Sequence, residues 1–330
     1  MQIDEPLQLV EAVVPDLDPA GSSAVDQVDW GAERGPQLNF LCNLTNALVC
    51  LGLQEEGVAR ARQAVALHPT GHLAWRSLGN ALAYHPDVSG QALLEVYRGV
   101  GRTMPRIAPA PFANTPNPER KLRLGLLSPT LKTHPVGWLT VAGFEALDPD
   151  AFEMVCFGQP ESHDPIQRRF RAIARDWHVV DTEERTALAR RIRAEGIDIL
   201  VELSGFGDRG LSGACADRPA PVQVKWVGMQ NHSTGLAEMD WMITDRWETP
   251  EGFDRHYSER LLRLPDGYVC YSPPPYAPDV APLPALRRGY PTFGCFNNTA
   301  KITPVVIATW ARILHALPSA RLVLKAHQFN

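Results

Sequence analysis

The sequence lacks the features that mark several large classes of protein. Its 330 residues carry a net charge of −5 and contain no basic tract, which argues against a nucleic-acid partner. No apolar run approaches the roughly 20 residues of a membrane span, and the acidic N-terminus is unlike a secretory signal. None of the 6 cysteines forms a CxxC pair, and reduced thiols are expected at the four that lie within apolar runs, Cys42, Cys50, Cys156 and Cys295. These absences predict a cytoplasmic protein with no membrane or nucleic-acid partner.

Common catalytic and cofactor signatures are also missing. There is no Walker loop, no HExxH and no GxSxG, and no GxGxxG follows the first strand-like run. His163 and Asp164 form a single pair, which is too small a set of ligands for a metal ion. The sequence therefore predicts neither a metal site nor a bound cofactor.

Proline is abundant and concentrated in two stretches, near residues 105–118 and 273–284. Proline at this density cannot continue a helix or an inner strand, so both stretches are predicted to be linkers. The domains that we predict are an N-terminal extension, an all-α segment, a linker, a first α/β lobe, a second linker and the start of a second lobe. Their ranges are 1–35, 36–100, 101–120, 121–270, 271–290 and 291–330.

Large residues of the all-α segment recur with a spacing of 34 positions. The matching pairs are Leu41 and Trp75, Leu44 and Leu78, and Leu48 and Leu82. Gly79 stands where a close helix crossing needs a small residue. This period is typical of tetratricopeptide repeats, in which stacked helix pairs share a core. An ordinary helical hairpin is the alternative.

Strand-like and helical patterns alternate between residues 121 and 270. Strands are expected at 122–128, 152–157, 177–181, 197–203, 222–227 and 241–244. One helix is expected from Pro165 to about Arg175, and a second from Asp181, with Glu184 as its capping-box partner, to Gly196. The alternation predicts a Rossmann-like parallel sheet covered by helices on both faces.

The C-terminal stretch repeats this pattern once. Strands are expected at 292–296 and 321–326, with a helix from Pro304 to about Leu317 that has Thr303 as its N-cap. Because a doubly wound domain usually has about five or six strands, we expect the chain to hold only the first βαβ unit of this lobe.

Two loops follow strand ends of the kind at which α/β proteins bind ligands. In the first, His134 can exchange a proton near neutral pH, with a surface histidine as the alternative. In the second, Lys301 follows two asparagines and precedes a helix N-terminus. This arrangement suits a phosphate, with a solvated turn lysine as the alternative.

Six motifs resemble, in their order along the chain, those of O-linked N-acetylglucosamine transferases and Spindly-like enzymes, which form glycosyltransferase family 41. They are KLRLGLLSP, GIDILVELSG, RPAPVQVKWVG, STGLAEMDWMITD, YSERLLRLP and FGCFNNTAKITP. The resemblance covers about residues 36–330. It implies an α/β protein of the GT-B type, with two Rossmann-type lobes around a nucleotide-sugar cleft, preceded by tetratricopeptide helices that guide acceptor proteins.

The resemblance also implies an activity. Family members transfer a sugar from a UDP-sugar, usually UDP-GlcNAc, to serine or threonine hydroxyls of proteins, with inversion and without a metal. The expected partners are therefore the UDP-sugar donor, an acceptor protein or peptide, and a complementing C-terminal lobe. The alternatives are a non-catalytic tetratricopeptide scaffold and a GT-B transferase with another donor or acceptor.

Individual residues match positions with known roles in the family. The resemblance assigns His134 to the active-site histidine, as general base or positioning group, and Lys301 to stabilisation of the diphosphate leaving group. His178 matches a second family histidine. The remaining residues expected to bind the nucleotide sugar are Thr133, Pro135, Asn297, Asn298, Thr234 and Gly235.

Two loops depart from the family pattern. The segment 205–210, GFGDRG, stands where many members have GHT or GYT. The segment 228–235, GMQNHSTG, is one residue longer than the usual loop and adds His232.

Overall fold

The computed structural model of the chain describes residues 34–108, 110–180, 184–206, 211–229 and 231–326. The chain divides into two compact units. The lobe unit consists of Thr70–Ala83 and Asp87–Ala281, and the split unit consists of the residues up to Pro69, Tyr84–Pro86 and the residues from Pro282. Within the described ranges, no helix has the length and apolar character needed to cross a membrane. The predicted extension 1–35 lies almost entirely outside these ranges, and the predicted domain boundaries stay predictions.

The described residues form helices and strands in the following order along the chain. The helices are α1 Arg34–Cys50, α2 Gln54–Leu67, α3 His72–Leu82, α4 Gly90–Thr103, α5 Pro135–Glu145, α6 Pro165–Ile173, α7 Arg185–Ala194, α8 Pro284–Arg288 and α9 Pro304–Ala316. The strands are β1 Leu122–Leu127, β2 Phe152–Gly158, β3 Ala174–Val179, β4 Ile199–Glu202, β5 Val222–Lys225, β6 Trp241–Asp245, β7 Arg260–Leu264, β8 Thr292–Cys295 and β9 Arg321–Leu324.

The lobe unit is built on a sheet of seven strands in the order β3-β2-β1-β4-β5-β6-β7, and every pair is parallel. The α/β prediction is therefore confirmed. The inner strands are nearly continuous apolar runs, as strands buried on both faces must be. Leu126, Val155 and Leu200, on three adjacent strands, are fully buried. The sequence did not predict β7, whose two arginines interrupt its apolar pattern.

Two predicted helices have different boundaries in the structure. The helix predicted to run to Arg175 ends at Ile173, and the chain passes directly into β3 at Ala174. The helix predicted from Asp181 begins at Arg185, because Glu184 itself is the N-cap. Its carboxylate accepts hydrogen bonds from the backbone N–H groups of Thr186 and Ala187, at 2.9 and 3.1 Å. Asp181 lies outside the described residues.

The N-terminal helices pack in consecutive pairs, α1 with α2 and α3 with α4, which is consistent with a tetratricopeptide-like segment. The pair α3–α4 is close enough to need glycine at its crossing. A Cβ added to Gly79 would lie 2.7 Å from Cζ of Tyr97, which is fully buried. The expected need for a small residue at Gly79 is confirmed.

The C-terminal part of the split unit is one βαβ element, as predicted. Strands β8 and β9 pair in parallel, and α9 connects them. Thr303 caps α9 through its Oγ1, which accepts from Val306 N at 3.4 Å, and Pro304 occupies the first turn. The loop before α9 is tied to α2, because Gln54 Nε2 donates to the carbonyl of Ala300 at 2.9 Å.

Candidate active site

His134 lies at the end of the loop that connects β1 to α5 and is the N-cap of α5. Its ring Nδ1 accepts a hydrogen bond from the backbone N–H of Val136 at 3.2 Å, and Pro135 occupies the first helical turn. An Nδ1 atom that accepts a hydrogen bond has no proton, so the neutral ring carries its proton on Nε2. In this tautomer the N–H of the His134 ring is at Nε2.

The loop is anchored next to His134 by Asp164, the N-cap of α6. The backbone N–H of Thr133 lies 2.9 and 3.0 Å from the two carboxylate oxygens of Asp164. Burial acts to raise the pKa of Asp164, but N–H donors from Gln167, Thr133 and Ile166 hold this pKa below its ordinary value. From the sequence, Asp164 stands out only as a possible metal ligand paired with His163. The better signal was an aspartate directly before a proline, which is typical of a helix start.

A buried ion pair stands at the carboxyl ends of β4 and β5, where sequence reasoning expected no site. Glu202 Oε2 and Lys225 Nζ are 2.9 Å apart, and each side chain is 1% exposed. The carboxylate also accepts the backbone N–H groups of Ser204 and Gly205, at 2.7 and 2.9 Å, and the Ser212 hydroxyl at 2.8 Å. Glu202 thus fixes the start of the loop after β4. The available signal was a charged residue near the end of each of two largely apolar runs, 197–203 and 222–227.

Thr234 and Gly235, predicted to bind the donor, lie in a buried loop between β5 and β6. The backbone N–H of Thr234 donates to Glu259 at 2.8 Å, and its hydroxyl bonds the same carboxylate oxygen. Gly235 has φ of +67°, and an added Cβ would lie 2.1 Å from the backbone of Tyr97. Their described contacts hold the loop against α4.

His232, in the same loop, stacks on Tyr97 with 3.9 Å between ring centroids. Its Nδ1 donates to the carbonyl of Ser233 at 2.8 Å, and among the described residues its Nε2 has no hydrogen-bond partner. Burial lowers the pKa of His232 to about 4, so the ring is neutral near pH 7.

His178 lies on β3, the edge strand of the sheet. Its ring stacks on Phe157 with 5.1 Å between centroids, and its Nε2 is 3.2 Å from a carboxylate oxygen of Glu195. These contacts join β3 to β2 and to the end of α7. None of them involves the loop that carries His134.

Lys301 closes a short 3-10 turn, Thr299–Lys301, between β8 and α9 in the split unit. Its Nζ donates to Asn297 Oδ1 at 3.3 Å, and its side chain is exposed. Asn298 caps the turn through Oδ1, which accepts from Ala300 N at 3.0 Å. The turn therefore sets an ammonium group just ahead of the N-terminus of α9, where the helix dipole is positive.

The predicted residues fall into separate groups. Thr133, His134 and Pro135 are contiguous in the lobe unit, whereas Lys301, Asn297 and Asn298 form one turn in the split unit. Among the residues that the structure describes, no cluster of histidine, cysteine, aspartate or glutamate could hold a metal ion.

Comparison with known proteins identifies the family. The profile of Glycosyl transferase family 41 matches residues 106–271, which is half of the chain. The chain belongs to glycosyltransferase family 41.

Curated relatives in family 41 include plant proteins named probable UDP-N-acetylglucosamine–peptide N-acetylglucosaminyltransferase SPINDLY. The proteins from Solanum lycopersicum and Arabidopsis thaliana are 37% and 38% identical over 258 residues, which is 76% of this chain. The match covers 27% and 28% of those relatives, so the chain spans about a quarter of their length.

A solved structure gives the same result for the fold. A lysine-to-methionine mutant of the Thermobaculum terrenum O-GlcNAc transferase superposes with a TM-score of 0.78 at 37% identity. The likeness covers 88% of this chain and 55% of that one. It confirms the predicted GT-B-like class.

Proposed function

We propose that this family 41 chain serves the transfer of N-acetylglucosamine from UDP-GlcNAc to serine or threonine hydroxyls of polypeptides. The reaction would take place in the cytoplasm, with inversion at the sugar and with neither a metal ion nor a bound cofactor. The relatives named as UDP-GlcNAc–peptide transferases support the donor and acceptor. The observation that carries the chemistry is the turn that presents Lys301 ahead of α9.

Cleavage of the sugar–phosphate bond builds negative charge on the departing diphosphate. Without a metal ion, preorganised protein donors must stabilise that charge. Lys301 supplies a full positive charge, and α9 adds the positive end of its helix dipole. Asn297 holds the ammonium group in place, and Asn298 fixes the turn that presents it.

The cap geometry favours one of the two roles considered for His134. A general base must accept a proton, but Nδ1 is occupied by the Val136 N–H and Nε2 carries the proton of the neutral ring. His134 is therefore better suited to donate a hydrogen bond from Nε2 to the sugar or acceptor. Thr133 and Pro135 would support this role by holding the loop and starting the helix.

The remaining assignments are to residues whose contacts lie within the protein. We propose that Thr234 and Gly235 act on the donor site indirectly, by fixing the loop after β5 against α4. His178 would act through β3 and Glu195 in the same indirect way.

Calorimetric titration of UDP tests the role of Lys301. We expect Lys301→Met to weaken UDP binding at least tenfold, about 1.4 kcal/mol, because a charge-assisted contact is lost. Arg312→Gln, which removes an exposed positive charge on α9 itself, is the matched control. If both substitutions weaken UDP binding equally, the effect comes from the loss of any nearby positive charge, and Lys301 has no specific role in binding the diphosphate. Failure of the wild-type chain to bind UDP would place the donor site outside it.

Transfer is tested with a serine-containing peptide, with mass spectrometry as the readout. Product formation unchanged by EDTA, with the anomeric configuration opposite to the donor's by NMR, is the expected result. His134→Asn keeps a good N-cap and an N–H donor, so we expect it to retain more activity than His134→Ala. If the chain binds UDP but modifies no peptide, the result supports the alternative of a non-catalytic scaffold.

A further inference from the structure

A basic pocket in the lobe unit lies on α4, apart from the loop that carries His134. It is a cavity of about 480 Å³. Arg98, Arg102, Arg106, Gly235, Tyr257 and Ser258 contribute to its lining. All six belong to the lobe unit. A pocket of this size exceeds what a single inorganic anion needs and is in the range of organic ligands.

The pocket forms because two glycines allow α4 to approach the loop after β5. A Cβ on Gly101 would lie 2.3 Å from the carbonyl oxygen of Gly235. Arg98 and Arg102 are four residues apart on α4 and therefore share one face of the helix. The close contact thus brings this basic face beside the loop that the family resemblance associates with substrate.

The charges of the pocket are incompletely balanced. Arg98 pairs with Glu95 at 2.8 Å, and Arg106 forms a bidentate pair with Glu238 at 2.8 and 3.2 Å. Arg102 has no ion pair among the described residues, and its side chain is exposed. Three arginines against two glutamates leave one net positive charge on a chain whose overall charge is −5.

The donors favour a carboxylate as ligand. Arg98 and Arg106 are already paired with glutamates, so Arg102 is the guanidinium group left for a ligand, and its fork matches a carboxylate in a bidentate way. Ser258, whose Oγ is 2.8 Å from Ser233 Oγ, adds a hydroxyl at the rim. We propose that this pocket recognises an acidic side chain of the acceptor polypeptide, through Arg102. The inference rests on the proposed function, since it names the acceptor class of the same reaction.

Peptide binding without any sugar donor tests the inference separately from transfer. Two fluorescent peptides would carry one serine flanked either by glutamates or by glutamines, and anisotropy would report their binding to the full chain. We expect the glutamate peptide to bind more tightly, and Arg102→Gln to weaken it roughly five- to tenfold with little effect on the glutamine peptide. Arg190→Gln, an exposed arginine on α7 of the same unit, is the matched control.

Three outcomes would overturn the assignment. They are equal affinity for the two peptides, equal loss in Arg102→Gln and Arg190→Gln, and inorganic phosphate binding as tightly as the glutamate peptide with the same dependence on Arg102. Tight binding of a phosphoserine peptide but not the glutamate peptide would also overturn the carboxylate assignment. Because no donor is present, transferase activity that survives any of these results leaves the proposed function in place.

Discussion

Each of the two units has a lysine near the end of a strand, and the two lysines differ in their environment. Lys225, the last residue of β5, is buried and pairs with Glu202 at 2.9 Å. Lys301, in the turn after β8, is exposed and donates to Asn297 at 3.3 Å. A buried pair is desolvated and must be balanced within the fold, whereas an exposed ammonium remains hydrated and can exchange water for a ligand.

The surroundings of the two lysines follow the same division. In the lobe unit, the sheet buries large apolar side chains such as Phe157 and Phe170 completely. In the split unit, α9 has no buried residue, and Phe293 of β8 is 40% exposed. Substitution of Lys225 should therefore affect the stability of the fold, whereas substitution of Lys301 should affect ligand binding.

The largest expected effect is the loss of the Lys225 charge. Lys225→Met leaves Glu202 as an uncompensated buried carboxylate, so we expect the free energy of unfolding to fall by about 3–5 kcal/mol. Lys301→Met should change it by less than about 0.5 kcal/mol, because the side chain is exposed. Urea denaturation, with hydrogen exchange of β4 and β5 as a local readout, compares the two variants.

A double variant provides the control for this interpretation. Glu202→Gln together with Lys225→Met removes both charges, and we expect it to be more stable than Lys225→Met alone. If the double variant is less stable still, the pair contributes through packing and hydrogen bonds rather than through compensation of charge.

The same comparison shows what the sequence could predict. Local signals were sufficient for the C-terminal βαβ element, where Thr303 and Pro304 mark the start of α9 within one turn. They were also sufficient for the parallel sheet, because most residues of its inner strands are apolar. Lys301 lies in the same short segment as Thr303, so its position just ahead of the helix could be predicted from the sequence, whereas the 3-10 turn capped by Asn298 was not predicted.

Contacts between distant residues could not be predicted in this way. Glu202 and Lys225 meet only because β4 and β5 pair in the register that puts them side by side. Gly101 meets Gly235 because α4 packs on the loop after β5. The boundary at Ala174 was missed because the chain passes from helix to strand without a turn residue. Each of these features depends on tertiary packing rather than on local pattern.

A smaller effect is expected from pH, through the buried ring of His232. The folded-state pKa of His232 is about 4, below the ordinary 6.5, so the unfolded chain takes up a proton first as the pH falls. The free energy of unfolding should therefore decrease between pH 6.5 and pH 4, by about 3 kcal/mol at most. Urea denaturation at several pH values would measure this slope. His232→Phe keeps an aromatic ring on Tyr97 and should flatten it, whereas an unchanged slope would assign the pH dependence to other groups.

The smallest effect compares the N-caps of α5 and α9, the helices that follow the loops carrying His134 and Lys301. His134 caps α5 and Thr303 caps α9, each through one hydrogen bond to a backbone N–H, of Val136 and Val306 respectively. His134→Ala and Thr303→Ala should each cost about 1 kcal/mol and increase hydrogen exchange in the first turn of the affected helix. His134→Asn and Thr303→Ser retain an acceptor and should restore protection. If His134→Ala leaves the exchange of Val136 unchanged, the cap is absent in solution. Nδ1 would then be available as a base, and the distinction drawn between the two roles of His134 would be lost.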